Sequence, residues 1–496
     1  MGYNEIICHQ PFIKINMPDV SGKPDANQIP DDVWLDILIN YLQPQDAVNL
    51  SEVNNRLNRL FATQHTQSEQ LHRKKTLGIL KVFTGYSSTF LFIRFNGKQR
   101  LFKTRNWSAV DSDNITPLLM PISLPENISF IESIQSTYKH TVVVGRDNRD
   151  QIIVATNKIH KDYAQQETSH NQLIPLPLRN NNISLVSVGN NEESYIFNPI
   201  FLLSRNAAGQ LSLQLHKINS KAPLETTIEE RDCQLPIPLP DTLKTVTKIN
   251  SGIWHTVIAG YDQYNRPQLA TFGKNCDGQL GTGDCENRDT PTLAKLPPEM
   301  HTLHIIQTGF FHTIIAGLDK NGCPIIASCG YNSDGQLGCG DKDNKNTLIP
   351  IKLPENMKSV EMVATGVKHT VIVGKDINNK PVVATCGHNG YGQLGTGDEE
   401  NRLCLTPIEI PEDITTVDYV GAGTYHTVIC GRNMKNQPIL ALCGCNSDGE
   451  LGLAPQKIAK KSSLMTNPAL FFPPRQDRNA INNVMKISKF SPCNLL

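Results

Sequence analysis

Gly309-Phe310-Phe311-His312-Thr313-Ile314-Ile315-Ala316 is one of four related stretches that decide the fold of this chain. Each stretch contains Gly-x-x-His-Thr followed by a short apolar run. The histidines recur every 57 residues, at His255, His312, His369 and His426. Each is followed by Gln-Leu-Gly or Glu-Leu-Gly, which end at Gly281, Gly338, Gly395 and Gly452. A fixed period of roughly 50 residues built from short strands is typical of a β-propeller.

Within one period the residue pattern predicts two β-hairpins. The run after His-Thr is rich in β-branched residues, as at 371–373, and a turn rich in Asp, Asn, Gly and Pro separates it from a second apolar run at 382–386. Such runs separated by turn residues are typical of hairpins. The Gly-Gln-Leu-Gly segment is predicted as a loop whose glycines permit positive φ, and the stretch 360–365 leads into the next copy. One period therefore predicts one four-stranded blade.

Weaker copies of the repeat precede the clear ones. One contains His140, and two more degenerate copies lie near 82–103 and 186–204. With the clear copies, these predict an all-β seven-bladed propeller over residues 76–490, with clear repeats at 247–453 and degenerate repeats at 78–246. The segment 484–488 resembles the strand before each Gly-x-x-His-Thr. We expect it to pair with the first blade and close the ring, which would remove exposed sheet edges.

These repeats resemble the regulator-of-chromosome-condensation family, in which seven such blades form a propeller. The founding member is a nucleotide-exchange factor for the small GTPase Ran, so the resemblance implies a regulator of a Ran-like GTPase, although a fold alone does not fix a function. In that family the loops before the repeat histidine meet Ran, and acidic side chains there matter for exchange. The matching positions here form a predicted target-binding rim of Lys139, Glu192, Glu193, Trp254, Phe311, Lys368 and Tyr425. This rim is mainly aromatic and basic, which suits protein binding but departs from the exchange pattern.

Composition argues against several classes of function. A chain of 496 residues is long enough for a propeller and one small domain. Its 47 basic and 47 acidic side chains leave no net charge to attract nucleic acid. The common phosphate-binding, zinc-protease and calcium-loop motifs are missing from the sequence. We therefore expect no covalent catalysis of its own, no cofactor and no metal.

The repeat histidines and the cysteines each admit two interpretations. The histidines could form a metal ring or a structural hydrogen-bonding group. Because each comes from a different blade and recurs with its threonine, we favour the structural role for all of them, including His140. The 13 cysteines include no Cys-x-x-Cys pair. We expect free thiols that pack as small hydrophobic side chains in a reducing cytosol.

Residues 27–75, after an N-terminal tail at 1–26, follow a helical period. This segment resembles the F-box, the motif that docks a substrate receptor onto the adaptor of a cullin-based (SCF) ubiquitin ligase. The alternative is an ordinary helical hairpin that packs on the propeller. The resemblance implies a small all-α module with these adaptor-binding residues: Ile29, Pro30, Val33, Trp34, Ile37, Leu38, Leu42 and Pro44.

The C-terminal residues 491–496 contain Cys493-Asn494-Leu495-Leu496, which fits a CaaX box of the geranylgeranyl type. A single lipid chain binds a membrane marginally, and a basic patch usually supplies the second signal. Residues 453–496 carry seven Lys or Arg side chains against one acid, Asp477. This excess suits an anionic cytoplasmic leaflet, so we predict a membrane anchor at prenylated Cys493.

Two functions follow as hypotheses. The first is a membrane-anchored factor whose propeller binds and regulates a small GTPase, with exchange activity to be tested, while its F-box recruits a ubiquitin ligase. The second is an SCF substrate receptor without exchange activity, whose propeller binds an unrelated target protein. Because F-box adaptors and prenyltransferases are eukaryotic, both hypotheses place the chain in eukaryotic cytoplasm, at the cytoplasmic face of a membrane. A bacterial gene with this layout would resemble effectors that intracellular pathogens translocate into the host.

Overall fold

The structure of the chain is a computed structural model. All the residues it describes belong to the larger of two compact units. The predicted F-box-like module at 27–75, the closing segment at 484–488 and the tail at 491–496 lie outside the described residues. Those residues are 78–85, 88–95, 98–104, 119–136, 141–157, 173–175, 183–188, 197–205, 210–219, 236–447, 450–451 and 464–466.

The described strands form seven antiparallel sheets, which we number in chain order. In each sheet the strands lie side by side in the order of the sequence. Sheet 1 contains β1 (Gly78–Thr84), β2 (Thr89–Phe95), β3 (Lys98–Thr104) and β4 (Leu119–Ile122). Sheet 2 contains β5 (Phe130–Ser136), β6 (Thr141–Arg146), β7 (Ile152–Asn157) and β8 (Leu173–Pro175). Sheet 3 contains β9 (Ile183–Val188), β10 (Phe197–Arg205) and β11 (Leu211–Asn219).

The clear repeats form the four remaining sheets. Sheet 4 contains β12 (Thr245–Ser251), β13 (His255–Tyr261), β14 (Pro267–Gly273) and β15 (Arg288–Ala294). Sheet 5 contains β16 (Thr302–Thr308), β17 (His312–Leu318), β18 (Pro324–Gly330) and β19 (Lys345–Pro350). Sheet 6 contains β20 (Met362–Thr365), β21 (His369–Lys375), β22 (Pro381–Gly387) and β23 (Arg402–Ile408). Sheet 7 contains β24 (Thr416–Ala422), β25 (His426–Arg432), β26 (Pro438–Gly444) and β27 (Met465–Thr466).

The second strand of each clear repeat is buried on both faces, because a neighbouring sheet packs on each side. In β13 the residues from His255 to Gly260 are all buried. Successive side chains of a strand point to opposite faces, so Val257 packs against sheet 5 and Ile258 packs against sheet 3. Strands buried on both faces favour continuous β-branched runs. Each such aliphatic side chain stabilises the fold by about 1.5–3 kcal/mol relative to an exposed one.

Contacts join each sheet to the next along the chain and also join sheet 7 to sheet 1. At this last junction the backbone amide of Thr84 donates to the Tyr419 hydroxyl at 3.2 Å, and the rings of Phe83 and Tyr419 meet with their centroids 6.2 Å apart. The described residues therefore have an all-β, propeller-like fold, as the repeats predict, and none of them is helical. The number of blades in the whole chain remains a prediction.

Candidate functional site

The repeat histidine forms part of a hydrogen-bonded clasp between successive sheets. His255 Nε2 lies 2.8 Å from Thr313 Oγ1, which belongs to the next sheet. Thr313 Oγ1 in turn donates to the backbone carbonyl of Gln279 at 2.8 Å. A hydroxyl has one proton to donate. Because that proton goes to the carbonyl, the histidine must donate from Nε2.

The same clasp recurs at the next two junctions. His312 lies 3.0 Å from Thr370, which donates to the Gln336 carbonyl at 2.8 Å. His369 lies 3.1 Å from Thr427, which donates to the Gln393 carbonyl at 2.7 Å. Each clasp thus consists of a histidine side chain, a threonine side chain and a backbone carbonyl.

The threonine-to-carbonyl hydrogen bond of the clasp also forms at the junction between sheet 7 and sheet 1. Thr89, at the start of β2, donates to the backbone carbonyl of Glu450 at 2.9 Å. Glu450 stands where earlier repeats have glutamine, and the backbone carbonyl serves equally well with either side chain. The Nε2 atom of His426, in contrast, has no hydrogen-bond partner among the described residues.

Burial keeps the repeat histidines neutral. It lowers the pKa of His255 and His369 to about 3 and the pKa of His312 and His426 to about 4. The rings of His312, His369 and His426 each pack directly on the glycine of their own Gly-x-x-His signature. A Cβ atom at Gly366, for example, would collide with Cε1 of His369. The contacts of these histidines are therefore those of a structural group.

The predicted structural glycines lie in the loop that supplies the clasp carbonyl. Gly338 has a φ of 72°, and a Cβ atom there would lie 3.1 Å from the buried Cys386 sulfur. Gly281 and Gly395 have the same conformation, with φ of 68° and 71°. Gly452 and His140 lie outside the described residues.

The rim residues that precede the histidines lie together with a second set of loop residues. The carbonyl of Phe311 accepts a hydrogen bond from the amide of Tyr331 at 2.9 Å, and the carbonyl of Lys368 accepts one from His388 at 2.8 Å. The carbonyls of Trp254 and Tyr425 accept equivalent bonds from Lys274 and Cys445. The loop after the third strand is therefore held beside the loop before the second strand. We call the end of the sheets that carries both loops the loop face.

Aromatic and cationic side chains touch one another across the loop face of sheets 5 to 7. The rings of Phe311 and Tyr331 lie 6.1 Å apart, and Lys368 Nζ lies 5.8 Å from the Tyr331 ring. Tyr425 and Tyr391 pack with their ring centroids 4.9 Å apart. His388 lies 6.0 Å from Tyr391 and 5.9 Å from Tyr425. On sheet 4, Lys274 Nζ lies 3.8 Å from the Trp254 ring. We define the loop-face cluster as the following residues: Phe311, Tyr331, Asp334, Lys368, His388, Tyr391 and Tyr425.

One ion pair sets the charge of this cluster. Lys368 Nζ lies 3.2 Å from the Asp334 carboxylate, whose side chain is only 16% exposed. Burial opposes the charged form of Lys368, but the hydrogen bond to Asp334 and the attraction of that carboxylate together outweigh burial and hold the pKa of Lys368 above its usual value. Burial lowers the pKa of His388. The cluster therefore presents rings around a neutralised ion pair.

The repeat pattern predicted only part of this surface. The positions before the histidines were predicted, whereas Tyr331, Asp334, His388 and Tyr391 were not. The predicted acids of the rim were Glu192 and Glu193, but Asp334 lies on the loop face as well. The 57-residue period could have identified these residues, because Tyr331 and His388 occupy equivalent positions in successive repeats, and so do Asp334 and Tyr391. The predicted rim residues Lys139, Glu192 and Glu193 lie outside the described residues.

None of the His, Cys, Asp and Glu side chains of the described residues form a group of three or more that could hold a metal ion. Within the same part of the chain, no helix is long and apolar enough to span a membrane.

The fold and its repeated clasp define a class of protein, an all-β repeat protein with a propeller-like arrangement of sheets. Three segments match the regulator of chromosome condensation (RCC1) repeat, at residues 268–316, 328–373 and 383–430. Each match begins in the third strand of one sheet and ends in the second strand of the next. Each matched segment supplies the threonine and the backbone carbonyl of one clasp, while the histidine of that clasp precedes the segment.

Several known proteins are similar in sequence to part of this chain. The ultraviolet-B receptor UVR8 of Arabidopsis thaliana is 32% identical over 160 residues, which cover 32% of this chain and 34% of the receptor. The X-linked retinitis pigmentosa GTPase regulator homolog of Caenorhabditis elegans is 24% identical over 227 residues, which cover 44% of this chain and 16% of that protein. The chain thus spans about a third or less of the length of these relatives.

A solved structure supports the fold. The crystal structure of Prp20p from Saccharomyces cerevisiae, described together with its binding to Gsp1p and histones, aligns with a TM-score of 0.51. The alignment covers 81% of this chain and 90% of Prp20p at 15% sequence identity. At that identity the likeness shows the fold alone.

Proposed function

We propose that the loop-face cluster binds a protein partner, and that a Ran-like small GTPase is the first candidate. The observation that carries the proposal is the pair of ring groups on the loop face, Phe311 with Tyr331 and His388 with Tyr391 and Tyr425. Lys368 of sheet 6 reaches sheet 5 through the Tyr331 ring and the Asp334 carboxylate. Aromatic side chains dominate the energetics of protein interfaces. A GTPase regulator homolog among the relatives and the reported binding of Prp20p to Gsp1p support the choice of partner.

The geometry favours binding over exchange. The rings are held by one another and by backbone hydrogen bonds between the two loops, so binding would cost little side-chain entropy. Asp334, the cluster's carboxylate, is already paired with Lys368. An exchange mechanism that uses a rim carboxylate would first have to separate this pair. We therefore propose regulation through binding as the activity and exchange as an additional outcome to be tested.

Two measurements with the full chain at increasing concentration test this proposal: its binding to Ran, and the release of labelled GDP from Ran. Stimulated release would assign an exchange factor. Binding without stimulated release would assign a scaffold or receptor. If neither Ran nor a panel of other small GTPases binds, the GTPase proposal fails.

The proposals for the F-box-like segment and the C-terminal tail concern residues that the structure does not describe. We propose that the F-box-like residues at 29–44 recruit the SCF adaptor and cullin, and that prenylated Cys493 with the basic tail holds the protein at the cytoplasmic face of a membrane in eukaryotic cells. The support is the residue pattern of each segment. If the gene is bacterial, the same layout assigns an effector translocated into the host. An SCF receptor whose propeller binds an unrelated target is the alternative, and the measurement of binding to small GTPases separates the two.

A further inference from the structure

At one point the backbones of sheets 5 and 6 pair through two cysteines, each a free thiol. Cys339, in the loop between β18 and β19, forms an isolated antiparallel bridge with Cys404 in β23. The amide of Gly340 donates to the carbonyl of Leu403 at 2.9 Å. A bond between the residue after Cys339 and the residue before Cys404 makes the two cysteines a non-hydrogen-bonded pair. Their side chains therefore lie on the same face of the bridge.

The spacing of such a pair suits a disulfide. Cα atoms of a non-hydrogen-bonded pair lie about 4.5 Å apart, and disulfides join Cα atoms separated by about 4.4–6.8 Å. Both cysteines are free thiols, with Cys404 exposed and Cys339 partly buried. The Cys339 sulfur accepts a hydrogen bond from Asn332 Nδ2 at 3.2 Å and donates to Asp341 Oδ1 at 3.4 Å. These bonds fix the sulfur near the bridge.

The repeat itself does not require cysteine at these positions. The preceding junction, between sheets 4 and 5, has the same bridge built from Thr282 and Thr347. Threonine therefore fits both sides of the bridge, and the cysteine pair is particular to the junction between sheets 5 and 6 within the described residues.

We propose that Cys339 and Cys404 form a reversible disulfide that joins sheets 5 and 6 beneath the loop face. The loop that carries Cys339 also carries Asp334, which pairs with Lys368 of sheet 6. Asn401, three residues before Cys404, donates to the same carboxylate at 3.2 Å. A covalent link at this point would hold the Asp334 loop against sheet 6. The inference does not depend on which partner the loop face binds.

Thiol–disulfide exchange with glutathione disulfide would supply the oxidant. The thiolate of exposed Cys404 attacks one sulfur of glutathione disulfide, which forms a mixed disulfide and releases one glutathione thiolate. The Cys339 thiolate then attacks the Cys404 sulfur and releases the second glutathione thiolate. The two protons lost by the protein thiols are taken up by the two glutathione thiolates. Burial raises the pKa of the Cys339 thiol, which suits the order in which Cys404 reacts first.

Peptide mapping of the full chain tests the inference. The protein is equilibrated with glutathione disulfide in excess over glutathione, blocked with N-ethylmaleimide, digested without reduction and analysed by mass spectrometry. We expect a Cys339–Cys404 linked peptide that disappears after treatment with dithiothreitol. The inference is wrong if both cysteines are recovered with the maleimide label. It is also wrong if Cys404 is linked only to glutathione or to the buried Cys386.

The threonine bridge provides matched controls. Cys404→Thr copies Thr347 and should fold like the parent, lose the linked peptide and leave Cys339 open to the maleimide. In that background, Thr282→Cys with Thr347→Cys should create a linked peptide at the preceding junction under the same conditions. A link at the native pair without a link at the engineered pair would contradict the geometric argument.

Discussion

Lowering the pH from about 7.5 to about 5.5 should destabilise the propeller mainly through its repeat histidines. Burial lowers the pKa of His312 and His426 to about 4 and the pKa of His255 and His369 to about 3. In the unfolded chain a histidine has a pKa of about 6.5. Between these values the unfolded state binds a proton that the folded state does not bind. The histidine contribution is therefore fully present above pH about 6.5 and is lost as the pH falls towards the folded values.

The size of this destabilisation follows from the difference between the folded and unfolded pKa values of the histidines. At pH about 5.5 each histidine lowers the free energy of unfolding by about 1.4 kcal/mol relative to pH about 7.5, and the four together lower it by about 5 kcal/mol. Most described carboxylates with a shifted pKa titrate below this window, although burial raises the pKa of Asp277. Backbone amide hydrogen bonds, for example, hold the pKa of Asp284 and Asp319 below its usual range. The loss between these two pH values therefore reports mainly on histidines.

Urea unfolding of the full chain, followed by tryptophan fluorescence at several pH values, measures the effect. His312→Gln keeps an N–H donor for Thr370 but cannot take up a proton. We expect it to reduce the pH-dependent loss by about 1.4 kcal/mol. Exposed His301→Gln is the matched control and should leave the pH profile of the parent unchanged. The reasoning is refuted if His312→Gln retains the full pH dependence of the parent protein.

Three further predictions concern the clasp and the two terminal segments. Thr370→Val removes the hydroxyl that His312 and the Gln336 carbonyl share and should cost about 1–3 kcal/mol of unfolding free energy in urea, because it leaves His312 Nε2 unpaired and leaves the Gln336 carbonyl with the Cys386 thiol as its donor. Thr370→Ser should retain most of the stability, and equal losses in both variants would contradict the hydrogen-bond account. Pro30→Ala with Leu38→Ala should abolish co-purification with the SCF adaptor and cullin while the propeller stays folded, and a parent protein that never captures the adaptor would rule out the F-box interpretation. Cys493→Ser should release the protein from membranes in fractionated eukaryotic cells, and a variant that stays membrane-bound would show that a protein partner supplies the localisation.

The sequence predicted the parts of the fold that depend on local pattern. β-Branched runs between turn residues located strands such as β21 and β22, because a short run of this kind forms a hairpin with few alternatives. The outer strands were harder to locate. β15 reads Arg-Asp-Thr-Pro-Thr-Leu-Ala and has only two buried residues, so its apolar signal is weak. Its proline is typical of a strand at the edge of a sheet.

The candidate site depended on contacts between repeats, which a single repeat cannot reveal. The pairing of His with Thr in every copy indicated a shared structural role, but the partner of His312 is Thr370 in the following repeat rather than its own neighbour Thr313. Likewise, Tyr331 and His388 join the rim because their amides bond to the residues before the histidines. Such contacts follow from the way in which the sheets pack, and no local propensity encodes them.

The affinity of Ran for variants of the loop face, measured by isothermal titration calorimetry with the full chain, tests the central claim most directly. Tyr425→Ala removes a ring of the loop-face cluster, and truncation of such an aromatic anchor should weaken binding by about 2 kcal/mol or more, or at least about 30-fold. Ile377→Ala, at the opposite end of sheet 6 and 80% exposed in the parent, is the matched control and should bind like the parent protein. Equal affinities for Tyr425→Ala, Ile377→Ala and the parent would contradict the claim that the loop face is the binding surface.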